Sequence, residues 1–156
     1  MSGKVNPISE EYPGATPYLC VHDGAGAIEF YKKAFGATER MRFGGPAGKI
    51  GHAEIQIGKA ILMLSDEFPE MGARSPKTIG GSPSAVLLYF EDVDSVARNA
   101  VAAGAKLVRP VENQFYGDRS GKLEDPYGHT WWIASHVEDV SPQEMEKRAA
   151  AASGGG

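Results

Sequence analysis

Several things are scarce in this chain of 156 residues, and each scarcity removes a class of function. Cys20 is the only cysteine, which rules out an intramolecular disulfide and fits a reducing compartment, so the cytoplasm is the expected location. Basic residues are no majority. Sixteen Lys and Arg stand against twenty Asp and Glu, a formal charge of −4, and this leaves no basic stripe for nucleic acid or an anionic membrane. Apolar runs are short, the longest being 60–64 and 85–90, well under the roughly 20 residues that span a bilayer. The start, 1–14, has no apolar h-region of the kind a signal peptide carries, so a soluble protein with no membrane partner is expected. GxGxxG after a strand, GxxxxGK[ST], GxSxG and CxxC are all missing, which removes support for nucleotide, serine-hydrolase and thioredoxin chemistry. Metal motifs of the HxH or HExxH kind are missing as well.

What is present is a repeated plan. An apolar content of 42% suffices for one compact domain with an ordinary core. A strand through Cys20 leads into a helix ending Ala34-Phe35-Gly36-Ala37, and a strand at 85–90 leads into one ending Ala102-Ala103-Gly104-Ala105, an offset of about 68 residues. In the first copy Ile28, Tyr31 and Phe35 have helical spacing over 27–35, Gly36 stops the helix, a strand follows over 38–43, and strands 50–57 and 60–64 flank the two-residue turn Gly58-Lys59. In the second, Asp92 caps a helix over 93–103, followed by strands 106–109, 119–124 and 130–136, with a connection through Pro110 and a turn at Asp125-Pro126-Tyr127-Gly128. Residues 1–14 read as a flexible arm, 68–83 as a Pro- and Gly-rich linker and candidate flap, and 141–156 as a helix capped by Ser141 and ending in a frayed tail.

Strand alternation sorts the side chains. With Gly58-Lys59 as the turn, Ile57 faces Ala60, Gln56 faces Ile61 and Glu54 faces Met63, so Ala53, Ile55 and Ile57 form an apolar face and His52, Glu54 and Gln56 a polar one. The apolar face suits packing under a helix, and the polar face looks either into a cup or into solvent. Trp131 and Trp132 point to opposite sides of the last strand, one under a helix and the other over a cavity with Thr130, Ala134 and His136. Tyr89 and Leu87 alternate likewise against Val86 and Leu88. Arg119, at a strand entrance, either clamps an anionic group of a ligand or pairs with Asp118 or Glu124 to fix its loop. His52 and Glu54, two apart on a strand, could reach one ion with His136 joining, whereas His22 and His129 lie beside turns.

Taken together, Thr16-Pro17-Tyr18-Leu19, Ala27-Ile28-Glu29-Phe30-Tyr31, His52-Ala53-Glu54-Ile55, Leu62-Met63-Leu64-Ser65-Asp66-Glu67 and the run Tyr116-Gly117-Asp118-Arg119-Ser120-Gly121-Lys122-Leu123-Glu124-Asp125-Pro126-Tyr127-Gly128-His129 resemble the vicinal oxygen chelate superfamily, the glyoxalase and bleomycin-resistance group, in its PhnB-like branch. The resemblance covers about residues 15–145. It implies an α+β fold of two βαβββ modules, about 15–67 and 84–136 within a domain at 15–140, whose eight mixed strands form a cup, and commonly a homodimer in which two chains can share one cup. It also implies that the places where metal-using members carry ligands are held here by Thr16, Met63, Ala85 and Trp132, none a usual donor to a hard divalent ion, so neither a metal nor another cofactor is expected. The expectation that follows is a metal-independent binder of an apolar, partly planar small molecule, acting in sequestration or resistance, with Tyr18, Gln56, Met63, Tyr89, Arg119, Trp132 and His136 as ligand contacts. The alternatives are a lyase, isomerase or dioxygenase of this superfamily using His52 and Glu54 as acid and base or as part of an atypical metal site with His136, and a structural or regulatory module without a ligand.

Overall fold

The computed structural model describes residues 3–154. Met1 and Ser2 of the expected arm, and Gly155 and Gly156 of the expected tail, lie outside the described residues. The first module runs β1 (Tyr18–Val21), α1 (Gly24–Phe35), β2 (Thr38–Gly44), β3 (Ile50–Ile57) and β4 (Ala60–Asp66). After a short helix α2 (Pro76–Ile79), the second repeats it as β5 (Ala85–Tyr89), α3 (Val93–Ala102), β6 (Lys106–Asn113), β7 (Asp118–Glu124) and β8 (Thr130–His136), and α4 (Pro142–Ser153) closes the chain. The eight strands hydrogen-bond as two four-stranded mixed sheets of the same plan, β1-β4-β3-β2 and β5-β8-β7-β6, each with one parallel pair, β1 with β4 and β5 with β8. Two βαβββ modules in an α+β architecture are therefore what the fold contains.

Local chemistry explains the boundaries. Asp23 starts α1 by accepting from the Gly26 amide, so the helix begins at Gly24, three residues before the apolar spacing over 27–35, and Gly36 ends it in the left-handed region at φ 69°. Asp92 caps α3 through the Ser95 amide, and Ser141 caps α4 through Glu144, with Pro142 at the first helical position. The hairpin register from Ile57 opposite Ala60 to Ala53 opposite Leu64 is the one that alternation predicts. Strand β6 differs from expectation: it continues through Pro110 to Asn113, because it is a sheet edge where a missing N–H costs little and two register shifts absorb the proline.

Both sheets turn one face toward a shared core, and α1 packs against α3 within it. Leu62, Leu64, Ala53 and Ile55 of the first sheet and Leu123, Trp131 and Ile133 of the second are buried there. Trp131 is enclosed by Tyr31 and Phe35 of α1, at ring-centroid distances of 5.2 and 4.9 Å. The opposite faces look outward, and on them large side chains remain open to solvent, Tyr18 at 54%, Phe43 at 59%, Leu87 at 52% and Tyr89 at 57% exposure. Each sheet thus presents half of a cup.

The linker is more ordered than a flap. Glu67 receives the Ser75 amide at 2.8 Å and the Thr78 hydroxyl at 2.7 Å, which pins α2 beside the end of β4. These bonds hold the Glu67 carboxyl far down, at about 2. No helix of the described residues is long and apolar enough to cross a membrane.

Candidate functional site

On the outward face of the first sheet, alternation along β3 brings His52, Glu54 and Gln56 to one side, with Met63 of β4 opposite both Glu54 and Tyr18. Glu54 is 3% exposed, and a carboxylate so enclosed is costly unless its oxygens are bonded. Both are. Tyr12, reaching over from the N-terminal arm, donates its phenol to Oε1 at 2.6 Å, and Arg40 of β2 donates Nη1 to Oε2 at 3.2 Å. Arg40 also holds Glu11 at 2.6 Å, so arm residues 11–12 lie anchored across this face. The hydrogen bond to Glu54 pushes the Tyr12 phenol above its ordinary range. His52 pairs its Nδ1 with the Tyr18 hydroxyl at 2.9 Å, while its Nε2 stands 3.9 Å from Glu54, beyond hydrogen-bond distance. Gln56 is turned away to the Gly58 carbonyl at 2.9 Å.

The outward face of the second sheet is arranged in rows set by strand register. Arg109, Lys122, Trp132 and Leu87 form one row across β6, β7, β8 and β5, and Glu112, Ser120, Ala134 and Tyr89 form the next. Small side chains at Ser120 and Ala134 leave a depression between Trp132 and Tyr89, a cavity of about 220 Å³ that Leu87, Tyr116 and Asp118 complete. It adjoins a larger one of about 450 Å³ toward β6, lined by Arg109, Pro110, Glu112, Gln114 and again by Tyr116, Ser120 and Trp132. Ser120 is 4% exposed, and its Oγ is the one buried side-chain polar atom among the described residues without a partner. The Trp132 ring is flanked by Lys122 Nζ at 5.4 Å and Arg109 Cζ at 5.9 Å from its centroid.

At the rim Tyr89 donates to Asp118 Oδ2 at 2.6 Å, and His136 bridges Asp118 Oδ1 and Asp139 Oδ1, both at 2.8 Å. Two carboxylates on two ring nitrogens favour the imidazolium, and they raise the His136 pKa, Asp139 first and then Asp118. Burial opposes ionisation of Asp118, but the bonds from Tyr89 and His136 outweigh it and leave its carboxyl below the usual range. This chain orients the rim more than it frees a base, since each heteroatom already has a partner.

Arg119 is not with these groups. It pairs with Ser135 on the other side of the sheet and grips Asp94 of α3 through Nε and Nη2, both at 2.8 Å, with Asn113 at 3.1 Å. Of the two roles open to it, ligand clamp or internal ion pair, the fold gives it the second, with Asp94 as partner in place of Asp118 or Glu124. The most specific run of the resemblance is likewise structural at its centre. Asp125, 3% exposed, accepts from the Tyr31 hydroxyl at 2.6 Å, Trp131 Nε1 at 2.8 Å and the Tyr127 and His129 amides at 2.9 Å. Burial and the Asp125 charge drive the Tyr31 phenol well above its usual pKa.

The donors do not suit a resident metal. Thr16, Met63, Ala85 and Trp132 offer one hydroxyl and one thioether among four places, and among the described residues no three His, Cys, Asp or Glu are placed to hold a metal ion. Within one chain His52 and Glu54 belong to the first sheet and His136 to the second, where two aspartates engage it. Sequence reading passed over Ser120, Asp118, Tyr116 and Arg109. Carrying the alternation from Trp132 across to Lys122 would have reached Ser120, whereas nothing local marks Tyr116, which lies in the turn before β7.

Comparison with known proteins places this arrangement. A protein of Mycobacterium tuberculosis, itself described only as uncharacterized, is 42% identical over 137 residues, covering 86% of this chain and 81% of that one. The solved structure of a gene product of Arabidopsis thaliana superposes with a TM-score of 0.63 at 28% identity, over 78% of this chain and 97% of the other. TioX from Micromonospora is similar at a TM-score of 0.62 and 25% identity, over 82% and 99%. Fosfomycin resistance protein FosX from Mesorhizobium loti, at 15% identity and a TM-score of 0.57 over 87% and 95%, shares the fold. Residues 13–133 match the family described as the Glyoxalase/Bleomycin resistance protein/Dioxygenase superfamily, and the chain belongs to it.

Proposed function

We propose that this protein is a metal-independent small-molecule binder of the PhnB-like branch, which holds an apolar, partly planar ligand on the outward face of the second sheet and serves sequestration or resistance in the cytoplasm. The observation that carries the reading is the Trp132 indole, half-buried at the floor of a solvent-open depression beside an unpaired buried hydroxyl. Pockets of this make, mainly apolar with a few placed polar groups, suit ligand capture. A homodimer fits the same reading, because each chain leaves two half-cups with bare aromatic side chains, and a second copy covers one half with the other. A lyase, isomerase or dioxygenase needs a free base or an open metal site. Glu54 has both oxygens engaged, so this reading draws no support from the geometry.

The test is a titration of tryptophan fluorescence with planar aromatic compounds, repeated on Trp132→Leu. Saturable quenching that the substitution weakens by about tenfold or more supports the reading. Quenching by no compound, or quenching unaltered in the variant, refutes it.

A further inference from the structure

The second sheet's depression carries more information than a need for flatness. Arg109 and Lys122 stand in the same transverse row as Trp132, and the ion pairs among the described residues involve neither. The other guanidinium groups of the two sheets are committed, Arg40 and Arg42 to glutamates and Arg119 to Asp94. Two cations without ion-pair partners, both over the Trp132 ring that lines the two cavities, form a place for negative charge next to a place for a ring. Glu112 in the next row sets the limit. Its carboxylate lines the larger cavity and would repel a second anionic group reaching across it.

Ser120 supplies an independent pointer. Leaving a buried hydroxyl unbonded is unfavourable, and Ser120 lines both cavities. A hydroxyl both donates and accepts, so it matches a ring substituent such as a phenol or carbonyl oxygen.

We propose that the ligand class is a planar aromatic molecule with a single carboxylate-type anion, its ring against Trp132, its anion between Arg109 and Lys122, and a ring oxygen on Ser120. This rests on the binding function proposed above and narrows it. Charge selects the end at which the ligand enters, and the hydroxyl selects its rotation about the ring normal.

Naphthalene carboxylate, the matching naphthalene carboxamide and a naphthalene carboxylate with an ortho hydroxyl are the probes, read by fluorescence and calorimetry on the full chain. The carboxylate is expected to bind at least about tenfold more tightly than the amide, and the double substitution Arg109→Gln with Lys122→Gln is expected to bring the two level. Ser120→Ala is expected to lower affinity for the hydroxylated probe by about fivefold or more, without lowering the melting temperature. Equal affinity for carboxylate and amide in the unaltered protein overturns the anion assignment while leaving aromatic binding intact. A lowered melting temperature in Ser120→Ala with unchanged affinity overturns the role of Ser120. If none of the three probes binds, the underlying binding function falls as well.

Discussion

At the scale of single residues, the side chains with the most partners are not those that face the cavity of the second sheet. Asp125 collects four donors in the core, two on each oxygen, and an amide in its place would turn an N–H₂ toward two of them. Hydrogen bonds to a charged acceptor contribute about 1.5–3 kcal/mol each net of the water bonds they replace. Asp125→Asn should therefore lose about 2–4 kcal/mol of stability, visible as a lower urea midpoint at unchanged m-value, and a shift under about 0.5 kcal/mol would contradict the account. His136 gives a pH signature. Its folded pKa is raised above the ordinary 6.5, so the bridge to Asp118 and Asp139 contributes below 6.5 and is lost as pH rises through the folded value. A ring-proton titration by NMR should give a midpoint above 6.5, and Asp139→Asn should bring it down. The sequence made the opposed roles of Trp131 and Trp132 legible because strand alternation is strict. It could not place Arg119, since the Asp94 that holds it is 25 positions away on a helix whose docking only the core decides.

At the scale of elements, the arm and the linker are the two segments that composition describes poorly. Pro, Gly and charge suggest disorder in both, yet each is tied by a glutamate, Glu54 of β3 for the arm, helped by Arg40 on Glu11, and Glu67 just past β4 for the linker. Such ties connect positions 42 and 8 apart in sequence and leave no periodic trace. Tyr12→Phe removes one donor to a buried carboxylate and should lower the urea midpoint, with earlier trypsin cleavage near Lys4 as a second readout. For Glu67 the folded pKa is depressed to about 2 from the ordinary 4.5, so its contribution is present above 4.5 and fades as pH falls toward 2. Exchange of the Ser75 amide should accelerate over that acid range in the native protein, and Glu67→Gln should show fast exchange already at neutral pH. A Ser75 amide equally protected in the variant would show that other contacts hold the linker.

At the scale of the whole molecule, the duplication was readable because helix-stop glycines and hairpins recur at one spacing, and the order of strands within each sheet follows from it. What the repeat does not encode is that the two sheets stay separate and put their apolar faces together around α1 and α3, which leaves the polar and aromatic faces outside. That geometry predicts self-association. Sedimentation at micromolar concentration should give twice the 16.6 kDa chain mass, and charges introduced by Phe43→Glu and Tyr18→Glu should return it to a single chain without loss of helical circular dichroism. A native protein that sediments as one chain across this concentration range would remove the dimer.

The Tyr31 to Asp125 bond joins a helix of the first module to a turn of the second, 94 positions apart, inside a wall of aromatic rings. Pulling the halves apart would strand a carboxylate in an apolar cleft, so neither half has a comfortable existence of its own. Melting should accordingly run as one cooperative event by every probe, and gene fragments split at the linker should regain structure only when mixed.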